Sequence, residues 1–181
     1  SLRERGFDAV WWLGVWQTGP RSREVARTHP GLRGEYARVL PDYRDEDVAG
    51  SPFAVAAYSV HQDFGGDAAL ARLRERMRDV GLSLILDFVP NHVGLDHPWV
   101  HEHPEFLIAA TPQQAARAPQ NFLPESESTG KAAKRCLAFG RDPYFDGWTD
   151  TVQLNYFHSG LRSAMESELA SVAGRCDGVR C

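Results

Sequence analysis

Residues 82–92 read Leu82-Ser83-Leu84-Ile85-Leu86-Asp87-Phe88-Val89-Pro90-Asn91-His92. From Leu82 to Val89 almost every side chain is apolar, as expected of a parallel strand covered on both faces. Pro90 ends the run. One carboxylate interrupts it near the end, and an amide and an imidazole follow at once. Burying a carboxylate is costly without partners. Asp87 is therefore either a structural carboxylate, with Asn91 serving the turn, or part of a site.

Upstream, Gly66 to Val80 reads as a helix. Leu70, Leu73, Met77 and Val80 recur at helical spacing, with Arg and Glu on the other face. Gly81 ends it. Earlier, Asp8 to Leu13 is a short apolar strand, preceded by a last helical turn at Leu2 to Arg5 that Gly6 closes. Downstream, Ser159 to Ala173 is a second helix. Ser159 is its expected N-cap, Leu161, Met165, Leu169 and Val172 form its stripe, and Gly174 closes it. Cys176 to Cys181 opens another strand. Strand, helix, strand, helix, strand predicts a parallel α/β sheet with right-handed crossovers.

Two long connections break this rhythm, Gly14 to Gly65 and Asn91 to His158. Both follow the carboxyl end of a strand, where parallel α/β folds place their sites. Long connections in compact domains are usually functional. A (β/α)8 barrel needs eight strands and about 250 residues, whereas three strands are readable here. The expectation is a partial barrel, incomplete at both ends.

Composition excludes several classes. Hydrophobic residues make up 43% and charged residues 24%, ordinary for a globular protein. The net charge of -4 and the absence of a dominant basic patch speak against nucleic acid. No apolar run reaches the length of a membrane span, so no membrane partner is expected. The three cysteines, Cys136, Cys176 and Cys181, are too few and too irregular for a disulfide framework or metal site and read as buried free thiols. The run His97 to His103 is rich in metal-capable side chains, yet without a second cluster it reads as a solvated loop.

Further residues with chemical promise fall in two places. In Gly178-Val179-Arg180-Cys181 the alternation of a strand puts Arg180 on the barrel axis if Val179 and Cys181 face the helices. An arginine there needs a carboxylate, and Asp87 on the neighbouring strand is the obvious one. In the first connection, Gly50-Ser51-Pro52-Phe53-Ala54-Val55-Ala56-Ala57-Tyr58 carries two aromatics. Five tryptophans suit a carbohydrate site, because sugar rings pack their apolar faces on aromatic rings. Trp11 and Trp12 are better read as internal packing.

These segments, in this order, resemble the α-amylase family (glycoside hydrolase family 13). Asp87-Phe88-Val89-Pro90-Asn91-His92 is similar to its first conserved region, and Gly178-Val179-Arg180 to its second. The resemblance implies a partial (β/α)8 TIM barrel with a small inserted B-type domain after the third barrel strand. Residues 1–90 would hold barrel strands 2 and 3, 91–158 the insert, and 159–181 barrel helix 3 and strand 4. It implies that His92 binds the sugar beside the cleaved bond and that Asp87 braces the site. Arg180 would keep the nucleophile ionised. Phe53 falls where the family stacks an aromatic, usually Tyr, on the sugar, and Tyr58 matches a more structural tyrosine. The nucleophile would be the residue after Cys181, and the acid/base would lie a strand later. The chain by itself is therefore expected to be inactive.

The activity implied is that of a retaining α-glycosidase or transglycosidase acting on an α-glucan, maltooligosaccharide or α-glucoside. The alternative is a non-catalytic, sugar-binding or transporter-associated relative. No cofactor is required. A structural calcium is implied with Asn91 as ligand, but Gln153 in Gln153-Leu154-Asn155 stands where many relatives carry a liganding Asp, which weakens that inference.

Overall fold

The computed structural model describes residues 2–124 and 135–181. After a 3-10 turn at Arg3–Arg5, closed by Gly6 at φ 88°, comes β1 (Ala9–Trp12). The first long connection is not irregular. It holds β2 (Trp16–Thr18), α1 (Pro20–Thr28), α2 (Pro30–Val39) and β3 (Val55–Val60), with β2 and β3 paired antiparallel. Then follow α3 (Gly66–Asp79) and β4 (Ser83–Asp87). The second connection holds β5 (His92–Gly94), α4 (Trp99–Glu102), β6 (Ala109–Ala110), α5 (Pro112–Ala115), β7 (Cys136–Leu137) and β8 (Thr151–Gln153). The chain ends on α6 (Ser159–Gly174) and β9 (Gly178–Arg180).

β1, β4 and β9 form one sheet in that order, parallel throughout. Alternation sorts β4 into two faces. Leu84 and Leu86 are buried in one cluster with Leu70 and Met77 of α3 and Leu161, Met165 and Val172 of α6. Val10 and Val179, their neighbours on β1 and β9, pack against the same cluster. Ile85 and Asp87 face the other way. The nearly continuous apolar run of β4 is thus explained by helices on one side and a site on the other.

Asp177, just before β9, locks the layers. Its carboxylate accepts from Arg74 and Arg78 of α3 at 2.7 and 2.8 Å and from the Leu84 amide at 3.0 Å. These donors hold its carboxyl below the usual carboxylate range.

Four expectations need correction. Ser159 is the first residue of α6 rather than its cap; His158 holds the cap position without a side-chain bond. Gly174 is the last helical residue and Arg175 follows as C-cap, so the glycine does not terminate α6. Cys136 and Cys176 are buried free thiols, but Cys181 is exposed. His97 is not solvated: it is 4% exposed, packs against Trp99, and accepts from the Trp99 amide at 3.2 Å.

Candidate active site

β4 and β9 end side by side. Asp87 and Arg180 are cross-strand partners, and the Phe88 amide donates to the Arg180 carbonyl at 2.8 Å. The register brings both side chains out on the face away from the helices. With Phe53, His92, Trp148 and Asp150 they line a cavity of about 640 Å³, within the range of small-molecule sites.

The expected ion pair is absent among the described residues. Asp87 is 2% exposed, yet its partners are neutral donors: the Trp11 indole at 2.8 Å and the Gly14 amide at 2.7 Å. Gly14 has φ 71°, a conformation that suits glycine. The Asp87 carbonyl accepts from the Trp16 indole at 2.8 Å. Arg180 stays exposed at the cavity, its guanidinium over the Trp11 ring at 4.3 Å. An exposed guanidinium keeps its water and places no desolvation demand on a carboxylate, so the pairing expected from burial does not arise. Trp11, expected to be internal packing, is thereby a site residue.

His92 opens β5 and is 7% exposed. The Asn91 amide nitrogen lies 3.1 Å from His92 Nδ1. An amide nitrogen only donates, so Nδ1 accepts and Nε2 carries the ring hydrogen. Burial pushes the imidazole down to about 4, against a hydrogen bond to the Phe53 backbone that favours the charged form. His92 is therefore neutral near pH 7. The Trp148 and His92 rings make a T-shaped contact, their centroids 5.2 Å apart. Phe53 is half-buried and packs against the core beside the cavity.

Tyr58 does not line the cavity. It is buried behind it, stacked on Phe88 at 5.4 Å, and its hydroxyl accepts from the Val89 amide at 2.9 Å and donates to the Val89 carbonyl at 3.3 Å. Burial pushes the phenol up. It pins the turn between Asp87 and His92.

Asn91 does not fit a calcium ligand in this setting. Gln153 Nε2 donates to its carbonyl at 2.7 Å and to its Oδ1 at 3.0 Å, and the Leu154 amide donates to the same carbonyl at 3.1 Å. Donors thereby fill both acceptor positions of the main-chain carbonyl and one of the two on Oδ1. No group of three or more His, Cys, Asp or Glu side chains arranged to hold a metal occurs among the described residues.

Two cavity residues escaped the sequence reading. Trp148 was visible only as one of five tryptophans. Asp150 lies two residues on, and burial raises its carboxyl, partly offset by its own backbone amide. Neither belongs to a periodic pattern; they lie just before β8, whose pairing with β5, together with the Trp148–Gly140 bridge, brings them beside His92.

A cavity at the carboxyl ends of parallel strands, lined by carboxylates, arginine, histidine and aromatics, defines the class: a (β/α)8-barrel enzyme fold, present here as a three-stranded arc. The family follows from a match to the model "Alpha amylase, catalytic domain" over residues 50–160, and the chain belongs to that family. It is 34% identical over 119 residues to an alpha-1,4-glucan:maltose-1-phosphate maltosyltransferase of Salinibacter ruber, covering 59% of this chain and 16% of that protein. A maltosyltransferase of the same name from Burkholderia pseudomallei is 30% identical over 125 residues, 66% of this chain and 10% of its own length. Among solved structures, an alpha-amylase from Lactobacillus plantarum superposes with TM-score 0.59 at 22% identity, covering 99% of this chain and 32% of that one. Isomaltulose synthase from Klebsiella sp. LX3 gives 0.64 at 14% identity, 97% and 28%. The chain thus spans less than a third of each of these relatives. The partial-barrel fold is that of these structures.

Proposed function

We propose that this protein acts on α-glucosidic bonds by a retaining mechanism, as a glycosidase or a glycosyl transferase. The observation that carries the reading is the convergence of Asp87, His92 and Arg180 on one cavity at the strand ends. Family membership and the maltosyltransferase relatives support an α-glucan, maltooligosaccharide or α-glucoside as substrate.

On this reading each side chain has a distinct task. Phe53 and Trp148 offer apolar faces to the sugar ring. His92, neutral near pH 7, presents an uncharged polar ring to the sugar, its one ring hydrogen already directed to the Phe53 backbone. Asp87 does not attack: its two oxygens are held by Trp11 and Gly14. It braces the site by fixing Trp11, which in turn carries Arg180. The guanidinium, always charged, holds a neighbouring carboxylate ionised. A retaining enzyme needs two carboxyl groups about 5 Å apart. Both oxygens of Asp87 are occupied, so on this reading the residues gathered at the cavity supply binding and positioning rather than the covalent step.

Two measurements test this. Calorimetric titration with maltotriose is expected to show binding that His92→Ala weakens, and no binding by the native protein would sink the proposal. The 181-residue chain is expected to release nothing from nitrophenyl α-glucoside or starch. Turnover that tracks the purified chain would show that it carries its own nucleophile.

A further inference from the structure

Gln153 is the cross-strand partner of His92 in the β5–β8 ladder, and its side chain is half-buried between Asn91 and Arg141. Its Nε2 reaches both the main-chain and side-chain oxygens of Asn91, at 2.7 and 3.0 Å. Its Oε1 accepts from the Arg141 amide at 3.2 Å. Asn91 returns the bond, its Nδ2 donating to the Arg141 carbonyl at 3.3 Å. The loop is closed, and it fixes both amide orientations. Turning the Gln153 amide over would put oxygen against two oxygens of Asn91. Turning the Asn91 amide over would put oxygen against the Arg141 carbonyl.

From this network we infer that the amide nitrogen of Gln153 takes the place of a structural cation at Asn91 and, through Asn91, holds His92 in its Nε2–H tautomer. The chemistry supports the substitution. A calcium ion would draw two converging oxygens together by charge and would want carboxylates around it. Here a neutral donor with two hydrogens does the same task. Both acceptor positions of the Asn91 carbonyl are filled, by Gln153 Nε2 and the Leu154 amide. No lone pair of that carbonyl remains for a metal. Once Oδ1 is committed to Gln153, Nδ2 is left facing His92 Nδ1 at 3.1 Å. A donor there forces the proton to the other ring nitrogen. Gln153 is thus a positioning residue, acting on the imidazole through one intermediate side chain.

The cation half of the inference stands on the hydrogen-bond geometry alone. The tautomer half matters for activity only if His92 contacts the sugar, as proposed above. The experiment therefore reads metal and tautomer directly and does not use activity. Melting temperatures of the native protein are measured in EDTA and in excess calcium chloride, beside Gln153→Glu. Glu keeps the shape and the acceptor toward the Arg141 amide, but turns an oxygen on Asn91. The native protein is expected to melt alike in both buffers. Gln153→Glu is expected to melt lower in EDTA and to recover when calcium is added. A rise of the native melting temperature with calcium that Asn91→Ala abolishes would overturn the inference, as would a Gln153→Glu variant indifferent to both buffers. If that variant does not fold, the native titration still decides. Long-range 15N NMR of His92 in the native protein is expected to show hydrogen on Nε2; hydrogen on Nδ1 would refute the positioning role.

Discussion

The guanidinium of Arg180 lies 4.3 Å from the centre of the Trp11 ring, although the two residues stand on opposite edges of the three-stranded sheet. Asp87 on the central strand takes the hydrogen of the same indole at 2.8 Å. One ring thus serves a cation with its face and a carboxylate with its edge, as its quadrupole and N–H allow.

That arrangement separates two substitutions. Trp11→Phe keeps a face for Arg180 but leaves one oxygen of a buried carboxylate without its donor. The expected loss is about 1–3 kcal/mol. Trp11→Ala removes the face as well and should lose more. Urea unfolding compares them. Equal stability of Trp11→Phe and the native protein would show that solvent satisfies Asp87 instead.

The buried histidines set an acid limit. His92 and His97 are both pushed down to about 4 from 6.5, in each case by burial. Between those values the unfolded chain takes up protons that the folded chain refuses. Stability due to these groups is therefore full above pH 6.5, falls as pH drops, and stops falling from this cause below about 4. Each contributes a slope of up to about 1.4 kcal/mol per pH unit. Unfolding free energies between pH 7 and 4 should show this slope. His97→Gln, which can still accept from the Trp99 amide, should reduce the histidine part of it by about half. An unchanged slope in that variant would place the acid sensitivity elsewhere.

Trp148 offers a test of the sugar-binding reading that does not disturb the core. It is 38% exposed and meets the His92 ring in a T-shaped contact. If its face carries a sugar ring, Trp148→Ala should weaken maltooligosaccharide binding on the order of tenfold, about 1.4 kcal/mol. Its melting temperature should move little. Unchanged affinity by calorimetry would remove Trp148 from the site.

Legibility in the sequence followed the locality of the cause. The run at 82–89 announced β4 because burial on both faces leaves a continuous apolar signal. The helix at 66–80 was equally plain, since its stripe repeats along one segment. α1 was invisible. It carries four polar residues in its first five, Pro20 aside it has no local capping signal, and its amides at Arg21 and Ser22 are capped at 3.1 and 3.2 Å by Asp96 from the other connection. The site divided in the same way. His92, Asp87 and Arg180 could be placed from strand ends, whereas the true partner of Asp87 was a ring 76 residues away. Asp150 entered through long-range contacts, the pairing of β5 with β8 beside it and the Ser22 hydroxyl on its carbonyl.

The last prediction concerns the strand that carries His92. Gly94 closes β5, and a Cβ built on it would stand 2.5 Å from the Ala54 carbonyl oxygen and 2.9 Å from its carbon. Those atoms are backbone, so no side chain can swing aside; β5 itself must move. Overpacking of this kind typically costs about 1–3 kcal/mol. Gly174 is the natural control. It is the last residue of α6, and a Cβ there meets nothing within 4 Å. Alanine is the better helix former, by up to about 1 kcal/mol. Melting temperatures should therefore rank Gly174→Ala above the native protein and Gly94→Ala below it. Because His92 sits two residues from Gly94 on the same short strand, Gly94→Ala should also weaken sugar binding, and Gly174→Ala should not. If Gly94→Ala melts and binds as the native protein does, β3 and β5 do not approach as closely as the structure places them.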